Sequence, residues 1–123
     1  MTNNRVVIVS ADSKLRASLA AHAAQGGFDA ETADSLQSWL TASSHESVHC
    51  LVLDMPASAL VRVDETALFA AACASRQVLA LTAAGDVPTA VQAIRQGATD
   101  VMHRSAAHRS ILDRINQMLA ARS

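Results

Sequence analysis

The sequence predicts an α/β fold, a parallel sheet with helical crossovers, and three observations support that prediction. Short apolar runs alternate with helix-period segments five times along the chain, the pattern of strands joined by crossover helices. The clearest run, Val6-Val-Ile-Val9, is β-branched and continuously apolar, as a central parallel strand buried on both faces must be. Cap and turn residues fall at the junctions: Asp12-Ser13, Gly26-Gly27, Pro88 and Gly97. With 123 residues, half of them hydrophobic, one domain over residues 1–123 with one core accounts for the whole chain.

Each element follows from its residues. Arg5 to Val9 forms the first strand. Asp12 or Ser13 caps the first helix, whose positions Leu15, Leu19, His22 and Ala23 share a face. Gly26-Gly27 ends that helix. A weaker strand spans Phe28 to Thr32, and a short helix follows from about Asp34 to Ala42, carrying Leu36, Trp39 and Leu40. His49 to Leu53 is the third strand, ending at Asp54. An alanine-rich helix covers about Glu65 to Ser75, and Gln77 to Leu81 is the fourth strand, ending at Thr82. Gly85-Asp-Val-Pro88 turns into the next helix, which stops at Gly97. Thr99 to Met102 is the fifth strand. The last helix, about Ala107 to Ala121, gathers Ile111, Ile115, Met118 and Leu119 on one face, with Arg109, Arg114 and Arg122 turned away.

Composition excludes several functions. The net charge is −1 and no Lys/Arg block occurs, so electrostatic binding of nucleic acid or an anionic membrane has no basis. No apolar run is long enough to span a bilayer, and the polar start Met1-Thr-Asn-Asn-Arg5 lacks the apolar core of a secretory signal; a cytoplasmic location is expected. Cys50 and Cys73 read as free, buried thiols. His22, His45, His49, His103 and His108 show no metal-ligand spacing with cysteine. Gly26-Gly27 and Gly85 form no phosphate loop, and no nucleophile-elbow pattern occurs.

In an open α/β sheet, function gathers beyond the carboxyl ends of the strands. Ser10, Ala11 and Asp12 follow strand one there, Asp54 strand three, Thr82 strand four, and His103-Arg104-Ser105 strand five. Each has a plain structural reading: Asp12 as a helix cap, Thr82 as a loop hydroxyl, Arg104 as a solvated charge. A carboxylate, a hydroxyl and a cation on three strand ends of one sheet are harder to assign to coincidence.

The segment from Ala80 to Val101, with Thr82, Gly85-Asp-Val-Pro88 and Gly97-Ala-Thr-Asp100, resembles the second half of a FixJ-type receiver domain of bacterial two-component response regulators. Val6-Val-Ile-Val9 with Ser13-Lys-Leu-Arg-Ala-Ser-Leu19 resembles the first strand and helix of that family, and Val52-Leu-Asp54 its phosphoacceptor strand. The resemblance implies a flavodoxin-like, doubly wound (βα)5 fold with five parallel strands in the order 2-1-3-4-5. It also implies a mechanism. Two acids after strand one and the acceptor aspartate hold magnesium while a phosphoryl group moves from a kinase histidine onto that aspartate. A hydroxyl and a lysine then bind the phosphoryl oxygens. By position the acceptor is Asp54, the hydroxyl Thr82, the lysine position Arg104, and the aromatic switch position Val101.

The departures bear on that mechanism. Ser10 and Ala11 stand in the acid-pair position, and Ala11 offers no ligand atom. Asp12, one position late, is the nearest carboxylate, leaving Asp12 and Asp54 as weak metal candidates; magnesium binding is expected to be weak or lost. Arg104-Ser105 replaces Lys-Pro. Without proline a cis bond would cost about 3 kcal/mol, so a trans peptide is expected there. Arg104 then either pairs with Asp54, whose carboxylate needs a cation once magnesium is gone, or swings into solvent. Met55-Pro56 sits two residues earlier than in the family, and no aromatic occupies Val101.

These residues point to a degenerate receiver, or pseudo-receiver: a non-enzymatic protein-interaction module in phosphorelay signal transduction that needs no cofactor. The alternative is a working receiver phosphorylated on Asp54 by a histidine kinase, with Asp12 substituting for the lost pair. A small-molecule-binding flavodoxin-like domain would need a pocket that the sequence does not advertise. A partner would be a histidine kinase or a downstream regulator. The face of the fourth helix, fifth strand and fifth helix, with Ala90, Arg95 and Thr99 partly exposed, is the candidate surface for docking or homodimerisation. On the plainer reading, Val91, Ile94 and Ile111 fill the core.

Overall fold

The computed structural model describes residues 5–42, 48, 50–56 and 63–122. Ten elements follow in strict alternation: β1 (Arg5–Val9), α1 (Ser13–Gln25), β2 (Asp29–Ala33), α2 (Leu36–Ala42), β3 (Cys50–Asp54), α3 (Val63–Ser75), β4 (Gln77–Thr82), α4 (Val87–Arg95), β5 (Asp100–His103) and α5 (His108–Arg122). The strands form one sheet in the order β2-β1-β3-β4-β5, every pairing parallel. This is the flavodoxin-like, doubly wound arrangement.

Strand periodicity divides the core into two layers. Val6 and Ile8 of β1, Val52 of β3 and Leu79 and Leu81 of β4 pack with Leu19 and Ala23 of α1 and with Ile111, Ile115 and Met118 of α5. Val7, Val9, Leu51, Leu53, Val78 and Ala80 face the opposite side, against Trp39 of α2, Phe69 and Ala72 of α3 and Ala93 of α4. The three central strands are covered on both faces, which is why their sequences are continuously apolar.

Side-chain caps start three of the five helices. The Asp12 carboxylate accepts from the amides of Lys14 and Leu15 and starts α1. The Asp86 carboxylate accepts from Thr89 N at 3.2 Å, with Pro88 in the first turn of α4. For α2 the cap is Ser35, whose Oγ accepts from Ser38 N at 3.1 Å; the helix starts at Leu36, two residues later than the sequence predicts. The second and fifth strands each lie one residue further along than expected, and α5 likewise. His49, the expected start of the third strand, and His45 lie outside the described residues, as does the Arg122 side chain.

Three side-chain expectations are corrected. His22 is exposed rather than part of the buried face of α1; only Leu19 and Ala23 of that face are fully buried. Arg114, 39% exposed, ion-pairs with Asp100 at the start of β5. Val91 and Ile94 do not fill the core: they are 40% and 50% exposed, and Val87 is 63% exposed. The buried positions of α4 are the small ones, Thr89 and Ala93. Small residues let the helix lie close to Ala80 and Ala98 in the core beneath it, and the larger side chains are left on the outer side. Ile111 is fully buried, as expected. Cys50 is buried, but Cys73 is only partly so.

Candidate functional site

Parallel register aligns the strand ends. Val9 pairs with Leu53, Asp54 with Leu81 and Thr82 with His103, so Ser10, Asp54, Thr82 and Arg104 meet along one carboxyl edge. Asp54 lies at the centre of that edge with its side chain 11% exposed. Both its oxygens are engaged. Ser10 Oγ donates to Oδ2 at 2.8 Å, and Arg104 Nε donates to Oδ1 at 2.8 Å.

Each donor is itself held. Ser10 Oγ accepts from Asp12 N at 3.0 Å, which orients the hydroxyl hydrogen toward Asp54. The Ser10 amide bonds Ala33 O, and its carbonyl accepts from Arg16 Nη1 at 2.6 Å. Arg104 N extends the β4–β5 ladder by donating to Thr82 O at 2.8 Å, and no described peptide bond is cis. With its backbone pinned in this way, the guanidinium reaches across β4. Its Nη2 donates to Met55 O at 2.6 Å, while Met55 N donates to Leu81 O at 2.8 Å. The guanidinium thus makes a charge-assisted, two-point contact with residues 54 and 55, which a lysine ammonium cannot match in geometry.

Of the two placements open to Arg104, the structure adopts the pairing with Asp54. The Asp12 carboxylate caps α1, its Oδ1 accepting from Lys14 N at 3.0 Å and Leu15 N at 3.3 Å. Ala11 is exposed. Thr82 is 2% exposed and meets the site through its carbonyl. Val101 is partly buried and packs against the core layer under α4. It also lines a groove of about 500 Å³ with Thr82, Val87 and Ala90. Among the described residues no three His, Cys, Asp or Glu side chains group as metal ligands. Sequence reasoning missed Arg16 and the Met55 carbonyl. The spacing of Arg16, six residues past Ser10, hinted at nothing, because its contact depends on how α1 folds back over the strand end.

On the α1–α5 side, His22 and His108 stack edge to face with centroids 4.7 Å apart. Their Nδ1 atoms are 3.2 Å apart, and His22 Nδ1 is 2.9 Å from Ser18 O. The His108 imidazole is held below its usual range by burial and by His22. Burial pushes the Cys50 thiol up to about 12.

Comparison with solved structures places the fold among response-regulator receivers. The response regulator StyR shares 28% identity at a TM-score of 0.75, with 95% of this chain covering 59% of StyR. The receiver domain of the Francisella response regulator 1452 shares 16% identity at a TM-score of 0.74, over 98% of this chain and 100% of that domain. NtrX from Brucella abortus shares 22% identity at a TM-score of 0.80, over 95% of this chain and 27% of NtrX. The chain therefore spans less than two thirds of StyR and a smaller part of NtrX, but the full length of the Francisella receiver domain. No protein-family model matches the chain, and no curated protein sequence does.

Proposed function

We propose that this receiver-fold domain works as a pseudo-receiver of the FixJ type: a non-enzymatic, cytoplasmic protein-interaction module of phosphorelay signalling whose conformation is held without phosphate. The observation that supports the reading is the double engagement of Asp54. A phosphoacceptor needs a free carboxylate oxygen aligned with the incoming phosphorus. Here one oxygen carries the Ser10 hydroxyl and the other the Arg104 guanidinium.

Magnesium does not fit these residues. The ion needs hard oxygen ligands in near-octahedral array. Ser10 directs its hydrogen, not a lone pair, at Asp54, the Ala11 side chain has no ligand atom, and Asp12 Oδ1 is taken up by the α1 amides. A guanidinium beside Asp54 also supplies the positive charge that a metal otherwise brings. The partner is a histidine kinase or a downstream regulator, and the exposed apolar side of α4 beside β5 and α5 is the surface offered to it or to a second copy.

The test is exposure of the protein to magnesium with beryllofluoride or acetyl phosphate. Under this reading the amide spectrum around Asp54 stays unchanged and intact-mass measurement finds no phosphoryl adduct. The triple variant Ser10→Asp, Ala11→Asp, Arg104→Lys should gain a magnesium-dependent response. A stoichiometric adduct on Asp54 of the unaltered chain would instead establish a working phosphoacceptor.

A further inference from the structure

In the strand order 2-1-3-4-5 the chain leaves β1 toward one side and β3 toward the other, with α1 and α3 on opposite faces of the sheet. Such a switch point opens a crevice outside the strand ends where α/β domains bind ligands. The crevice is present here as a cleft of about 310 Å³ bounded by the ends of β1 and β3, by α2 and by α3. We propose that this cleft is a binding site for a small organic cation: a compact aromatic or alicyclic body carrying an ammonium or amidinium group.

The walls determine the body of the ligand. Val9 and Leu53 from the strands, Leu36 from α2 and Leu68 and Phe69 from α3 give an apolar lining, and a cleft of this size takes about a dozen non-hydrogen atoms at ordinary packing density. The charges determine its polar end. Three carboxylates line the cleft, Asp34, Asp54 and Glu65, with no arginine or lysine among its described lining residues. Arg104 neutralises Asp54 from the β5 side. Asp34 is exposed and Glu65 half-buried. An ammonium seated in the cleft is attracted by those two carboxylates, a neutral group gains nothing from them, and an anionic group is repelled. Nucleotides, flavin phosphates and other anions are rejected on the same ground. Ser10 and Asp54 at the floor link an occupant to the hydrogen bond between them, so binding would report to the edge of the sheet without phosphate.

The site does not depend on whether Asp54 can be phosphorylated, and its test uses neither magnesium nor a phosphoryl donor. Tryptamine, phenethylamine and benzamidine are titrated into the ¹⁵N-labelled chain, beside indole and indole-3-acetate. At least one of the three cations should give saturable shifts at Ala11, Leu36, Leu53 and Leu68, with indole weaker and indole-3-acetate silent. Glu65→Gln should weaken the cation at least fivefold, and Leu68→Trp, which fills the cleft, should abolish it. Absence of saturable shifts from all three cations up to about 10 mM, an affinity too weak to matter, overturns the proposal. So does equal binding of indole-3-acetate, or cation binding that survives Glu65→Gln unchanged.

Discussion

Arg104 donates from Nε to Oδ1 of Asp54 at 2.8 Å across a sequence separation of fifty residues, and its other contact, to the Met55 carbonyl, fixes the guanidinium against the end of β3. The carboxylate is 11% exposed and the arginine 33%. Removing the cation therefore leaves a nearly buried charge with one hydrogen bond. Arg104→Ala should cost about 1–3 kcal/mol in urea unfolding, and Ser10→Ala about 1 kcal/mol. Paired with Asp54→Ala in a double-mutant cycle, Arg104→Ala should show a coupling of at least about 0.5 kcal/mol. A cycle that closes at zero would mean that the pair contributes nothing.

The outer side of α4 behaves as a surface, not as core. Val91 and Ile94 are 40% and 50% exposed, so Val91→Ser and Ile94→Glu should change unfolding free energy by no more than about 0.5 kcal/mol. The same variants, and charge reversal at Arg95, should weaken self-association or partner capture if this face is used. Light scattering over a concentration series reads the first. A large loss of stability from Ile94→Glu would contradict the exposed placement.

Gly97 ends α4 with φ +114°, and a Cβ there would stand 3.0 Å from the Cβ of Cys73 on α3. Backbone strain and contact act together, so Gly97→Ala should destabilise by about 1–3 kcal/mol in thermal or urea melts. Adding Cys73→Ala should not rescue it, because the clashing atom is a Cβ that alanine keeps.

The α1–α5 contact predicts a pH dependence. His108 is held below its usual range in the folded state, first by burial and then by His22, so the unfolded chain binds its proton more readily. That contribution to stability is complete above about pH 6.5, falls as pH drops through the unfolded value toward the folded one, and levels off below it. Urea melts at about pH 7.5 and about pH 5.5 should differ less for His22→Gln than for the unaltered chain. An identical difference in the two proteins would remove His22 as a cause.

Much of this molecule was readable along the chain because its signals are local. The apolar run Val6–Val9, the caps at Asp12 and Asp86 and the stop at Gly97 each act within one turn or one strand, and each element they mark is present. The absence of acids at Ser10 and Ala11 is also a property of the sequence alone. What Asp54 does in consequence was not. Whether Arg104 pairs or swings away depends on the β4–β5 register, which pins Arg104 N to Thr82 O, and on Ser10 meeting a residue forty-four positions distant. The orientation of α4 was likewise hidden. A helix with Val91 and Ile94 reads as apolar and inward, but the sheet beneath leaves room only for Thr89 and Ala93. The cleft beside Asp54 has no sequence signature either, since it is space left between α2, α3 and two strand ends. Short-range periodicity and capping were encoded locally; the pairing of charges, the facing of α4 and the cleft were decided by packing between elements, where steric fit and strand register outweigh residue type.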